Sequence, residues 1–122
     1  MGMATRRHYP LESHGTVNHL PSFLPGGKVP KLDKTARDII KNAGYGEFFG
    51  HSLGHGVGIE VHETPNLAPK SKAELKPGNI VTIEPGIYIP DEFGVRIEDF
   101  VVITETGYEN LTSSPKELII LN

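Results

Sequence analysis

Helical periodicity is concentrated in one stretch, "KLDKTARDIIKNAGYG" (residues 31–46), where Leu32, Ala36, Ile39, Ile40 and Ala43 fall on one face. Asp33 is placed to cap the start, and Gly44 to stop the chain after Lys41 and Asn42, which predicts a helix over 33–43. Everything after Gly46 reads as strand and loop. "GVGIEVHE" (56–63) alternates, with Val57, Ile59 and Val61 on one side and Glu60 and His62 on the other. "TPNLAPKSKAELKPGN" (64–79) reads as a long polar connection. "IVTIEPGIYIP" (80–90) is a β-branched strand that Pro85-Gly86 must kink or bulge. "DEFG" (91–94) makes a hairpin-like turn. "VRIEDFVVITE" (95–105) alternates again, Val95, Ile97, Val101 and Ile103 against Arg96, Glu98 and Phe100, and "KELIILN" supplies a short last strand. One helix followed by mostly antiparallel strands means an α+β fold.

A chain of 122 residues is one domain or part of one. Its net charge of -3 gives no basic face for nucleic acid. It has no cysteine, so neither a disulfide framework nor a thiolate metal site can form. No apolar run approaches the roughly 18 residues of a membrane span, and a cytoplasmic location is the default. Residues 1–25 carry His8, His14 and His19 without helical or strand periodicity, and read as an extended or disordered segment ahead of the folded part, 26–122.

The chemistry concentrates in "HSLGHGVGIEVHE" (51–63). His51 and His55 have the four-residue spacing of a helical zinc motif. Gly50, Gly54, Gly56 and Gly58 argue against a helix there, each costing about 1 kcal/mol relative to alanine. Glycine instead permits positive φ and close approach of another group to the backbone. On the plain structural reading, His51 and His55 are loop residues and His62 a half-exposed strand residue. Among the carboxylates, Glu84 ends an apolar strand and Glu98 lies between Ile97 and Asp99, in strands rich enough in Val and Ile to be buried on both faces. A buried carboxylate needs a partner or a metal. Arg96 is the competing structural partner for Glu98. One imidazole with two carboxylates makes an N/O donor set suited to Mn, Co, Fe or Zn. A bridging carboxylate can hold two such ions about 3.5–4 Å apart and so activate a water for attack on a carbonyl. The residues by themselves reach as far as a candidate metal-hydrolase site.

The ordered set "HSLGHGVGIEVHE", "VTIEPGIYIP" and "GVRIEDFVVIT" resembles the metallopeptidases of the pita-bread fold (family M24), and within them the Xaa-Pro peptidases, prolidase and aminopeptidase P. Methionine aminopeptidases share the fold, but their last glutamate lies in a Gln-x-Glu-His context, whereas Arg96 and Asp99 flank it here. The resemblance implies a curved, mostly antiparallel sheet forming the second half of that fold over residues 26–122. It implies that His55, Glu84 and Glu98 are metal ligands, Glu98 bridging two ions and Glu84 also taking the proton from the attacking water. His51 would shape the substrate pocket, His62 would hydrogen-bond the scissile carbonyl or the developing oxyanion, and Arg96 would orient the carboxylates. The substrate implied is a peptide with proline at the second position.

The family's dinuclear site has five protein ligands, and two are aspartates upstream of the first histidine motif. Before His51 this sequence offers only Asp33 and Asp38, both on the predicted helix. Three ligands of five implies a partial catalytic domain with little or no activity of its own. It also implies exposed sheet edge and apolar surface, hence self-association into a homo-oligomer. A non-enzymatic binding protein of the same fold is the alternative.

Overall fold

The computed structural model describes residues 25–121. Helix α1 (Val29–Asn42) is followed by a 3₁₀ turn at Gly46–Phe48 and seven strands: β1 (Gly54–Gly56), β2 (Glu63–Leu67), β3 (Ile80–Ile83), β4 (Gly86–Ile89), β5 (Phe93–Arg96), β6 (Asp99–Ile103) and β7 (Tyr108–Asn110). Five form an antiparallel sheet in the order β2-β1-β3-β6-β7, while β4 and β5 make a separate hairpin. The N-terminal segment expected to be extended lies outside the described residues, apart from Pro25.

The helix begins a turn earlier than its periodicity predicts. Lys28 takes the cap position without a side-chain bond, and Pro30 sits in the first turn, where its missing N–H costs nothing. Asp33 is therefore no cap: it lies inside the helix and is fully buried. Val29, Leu32, Ala36 and Ile40 form the buried face, whereas Ile39 and Ala43 lie outside it. The stop is as expected. Gly44 is left-handed at φ +90°, its N–H bonds to the Lys41 carbonyl at 2.9 Å and that of Tyr45 to Ile40 at 3.0 Å, a Schellman closure.

Two predicted strands are absent among the described residues. Residues 57–62 form the loop joining β1 to β2; Ile59 and Val61 are exposed because the alternating pattern has no neighbouring strand to pack on. The expected polar connection (64–79) instead begins with β2, which pairs with β1 from Gly54↔Leu67 to Gly56↔Glu63. Residues Leu118–Leu121 are exposed and form no strand.

Pro85 organises the rest. It cannot donate to a ladder, and both long strands break at its level. β3 pairs with β6 as far as Ile83↔Asp99, pairing resumes in the hairpin at Gly86↔Arg96, and only the Ile97 N–H reaches back to the Pro85 carbonyl, at 3.4 Å. The predicted strand 95–105 is thus two strands, with Glu98 in the gap opposite Glu84. Val81, Ile83, Val101 and Ile103 pack with Leu32, Ile40, Leu53, Leu67 and Leu75 into one core cluster.

Candidate functional site

His55 is the middle residue of β1, the three-residue strand held between β2 and β3. The glycines beside it serve close approach rather than positive φ. A Cβ at Gly54 would stand 1.8 Å from the Thr82 carbonyl oxygen, and one at Gly56 2.2 Å from that of Thr64; neither glycine is among those with positive φ, which are Gly26, Gly44 and Gly78. Only a residue without a side chain lets both neighbouring backbones close on this strand.

His55 Nδ1 lies 2.8 Å from the Gly56 carbonyl, so that nitrogen carries the hydrogen. Its Nε2 faces Glu84 Oε1 at 3.0 Å, with both side chains largely buried. In neutral imidazole that Nε2 is an acceptor, and the carboxylate opposite it is acceptor-only. Two acceptors at this distance hold together only around a cation, either a proton or a metal ion. Thr82 completes the arrangement: its hydroxyl donates to Glu84 Oε1 at 2.8 Å and accepts the His55 N–H at 3.0 Å. The residue was not singled out from the sequence, although a threonine in a strand of Val and Ile was the available signal.

Arg96 approaches Glu84 Oε2 at 3.5 Å. The register explains why it engages this carboxylate rather than Glu98: Arg96 ends β5 opposite Gly86, two residues from Glu84, whereas Glu98 lies beyond the break. Glu98 is half-buried and shares the wall of a cavity of about 390 Å³ with His55, His62, Thr82, Glu84 and Arg96. An adjoining cleft of about 550 Å³ brings in His51, Ser52, Glu63, Thr64 and Asn66. The His62 ring, on the exposed loop, lies 4.4 Å from that of His55. His51 Nδ1 is 2.8 Å from the Ser52 carbonyl and so carries the hydrogen, which leaves Nε2 to accept the hydroxyl of Tyr88 at 2.9 Å.

A buried link to the helix supports this wall. Asp33 accepts from Arg37 Nε at 2.6 Å, from its Nη2 at 3.2 Å and from the Leu53 N–H at 3.2 Å. Arg37 in turn donates to the Phe49 carbonyl at 2.9 Å and the His51 carbonyl at 2.5 Å, and stacks over the Phe49 ring. Asp38 pairs with Lys34 on the helix surface. Both aspartates upstream of His51 are thus engaged with cations of their own helix.

All six residues singled out from the sequence, His51, His55, His62, Glu84, Arg96 and Glu98, line these two adjoining cavities. Their donor chemistry fits a divalent ion of the Mn, Co, Zn or Fe kind. Among the described residues, however, no three carboxylates or imidazoles converge as a ready metal-holding group. The fit is that of part of a metal centre.

The profile of metallopeptidase family M24 matches residues 20–105. The chain belongs to family M24. M24 relatives include a protein of Pyrococcus furiosus named Xaa-Pro dipeptidase, 55% identical over 114 residues that make up 93% of this chain and 33% of the relative. An uncharacterised peptidase of Bacillus subtilis is 59% identical over 97 residues, 80% of this chain and 28% of that protein. Among solved structures, the Xaa-Pro dipeptidase from Bacillus anthracis superposes with a TM-score of 0.82 at 51% identity, covering 87% of this chain and 30% of that one. The chain therefore spans a third or less of these M24 proteins. Its α+β fold, one helix and a mostly antiparallel sheet, is that of the second half of the pita-bread domain. No described helix is long and apolar enough to cross a membrane.

Proposed function

We propose that this M24 chain carries part of the catalytic site of an Xaa-Pro dipeptidase, which hydrolyses the peptide bond before proline. The observation that supports the reading is the buried His55 Nε2–Glu84 Oε1 pair at 3.0 Å, an imidazole and a carboxylate placed to share either a proton or a metal ion. His55, Glu84 and Glu98 would hold divalent metal, which when bound acidifies a water and polarises the scissile carbonyl. Glu84 receives the proton of the attacking water at a carboxylate oxygen. Its orientation is held by the Thr82 hydroxyl on one oxygen and by Arg96 near the other. His62, on the open loop, donates a hydrogen bond to the substrate carbonyl as charge develops on its oxygen. His51, fixed by Ser52 and Tyr88, shapes the wall against which the peptide lies.

Asp33 and Asp38 are both taken up by helix ion pairs, so this chain supplies three ligands of the five that the resemblance implies. Calorimetric titration of the pure chain with Mn²⁺ is expected to show weak binding of at most one ion, abolished in both His55→Ala and Glu84→Gln. An unchanged isotherm in both variants overturns the ligand assignment. An assay with an Xaa-Pro dipeptide is expected to show little or no turnover; enzyme-like turnover overturns the partial-site reading. Exposed Leu118–Leu121 and the position of β2 and β7 at the sheet edges among the described residues support self-association as a homo-oligomer. A compact monomer at high concentration in sedimentation refutes it. The lack of cysteine is compatible with a cytoplasmic setting.

A further inference from the structure

Glu98 sits in the two-residue gap between β5 and β6, outside both ladders, yet it lines the cavity that holds His55 and Glu84. What fixes its backbone comes from much later in the chain. Lys116 Nζ donates to the Glu98 carbonyl at 3.2 Å and pairs with Asp99 Oδ1 at 2.6 Å. The lysine is only 18% exposed and Asp99 is fully buried, so solvent screens this pair little. The intervening chain is registered as well: β7 pairs with β6, the Leu111 N–H bonds to the Phe100 carbonyl at 2.8 Å, and the Thr112 hydroxyl accepts the Phe100 N–H at 2.8 Å.

We propose that Lys116 is a positioning residue for the candidate metal centre, holding the main chain of Glu98 at the wall of the cavity that His55 and Glu84 also line. The inference rests on Glu98 being a ligand, as argued above. An ion pair serving stability alone would need only the Asp99 carboxylate. The second bond, to the carbonyl of Glu98 itself, ties the lysine to a candidate ligand that lies in the gap between β5 and β6.

The test separates these roles with Lys116→Met combined with Asp99→Asn, which removes both buried charges together and so spares the fold the cost of an uncompensated one. Unfolding curves verify that this double variant folds. Mn²⁺ binding is read from loss of the free-ion electron paramagnetic resonance signal, and amide exchange is followed over residues 97–100. Relative to wild type, the double variant is expected to bind Mn²⁺ about tenfold more weakly, as when other groups that orient metal ligands are lost, and to exchange faster at these amides. Lys116→Arg, which keeps a donor and a charge, is expected to retain most of the affinity. A folded double variant matching wild type in both readouts overturns the proposal. Wild-type protein that leaves the Mn²⁺ signal unchanged overturns instead the metal reading of the site. The exchange rates then decide on Lys116 alone, and unaltered rates refute its hold on Glu98.

Discussion

Replacing Asp33 by alanine tests the buried link between helix and site. The carboxylate is 1% exposed and accepts three hydrogen bonds, two from Arg37 and one from the Leu53 N–H. Leu53 is fully buried, so its orphaned N–H costs ~1–3 kcal/mol. Breaking a fully buried ion pair costs ~3–5 kcal/mol, but Arg37 is 29% exposed and keeps its bonds to the Phe49 and His51 carbonyls, so only part of that applies. The sum is a loss of ~3 kcal/mol, a large share of the ~5–15 kcal/mol that stabilises an ordinary domain. Asp38→Ala is the control, because its partner Lys34 is 72% exposed and such surface pairs are worth under ~1 kcal/mol. Urea unfolding followed by circular dichroism measures both. If Asp33→Ala falls within ~0.5 kcal/mol of wild type, the range of an inconsequential surface change, the buried-anchor argument is wrong.

Two further substitutions act nearer the site. Gly54→Ala would place a Cβ 1.8 Å from the Thr82 carbonyl, so β1 and β3 must part. The expected cost in urea unfolding is at least the ~1–3 kcal/mol of an overpacked core, with shifted backbone resonances at His55, and an unperturbed spectrum would contradict the close-approach account. Thr82→Val keeps the shape but removes the donor to Glu84 and the acceptor for the His55 N–H. A bond to a charged group is worth ~1.5–3 kcal/mol, so a loss of about that size is expected in the same assay, and near-neutrality would count against the hydroxyl bridge.

Much of this was readable from residue order. The helix, its glycine stop, the break at Pro85-Gly86 and the cluster of His51, His55, His62, Glu84, Arg96 and Glu98 along one wall all follow from local pattern or from the three motifs. What escaped depends on neighbours. Alternation over 57–62 looks like a strand, but period-two patterning becomes structure only where another strand supplies a ladder, and here β1 and β2 pair with each other on either side of the loop. "KELIIL" fails for the same reason, having no strand beside it among the described residues. Asp33 shows the converse. Its spacing to Arg37 is that of any exposed helix pair, and only the arrival of Leu53 and His51 from the following loop makes it a buried joint.

The three residues of β1 have a further consequence. Because Gly54 and Gly56 admit a backbone on each side, His55 is clamped in the middle of the sheet by two strands at once. His62, seven residues later, rides on an exposed loop with no strand to hold it. The two imidazoles are thus held unequally: one is fixed within the sheet, the other stands on an exposed loop outside it. Sequence change has room on the loop, at the exposed Ile59 and Val61, and none at the glycines of the strand.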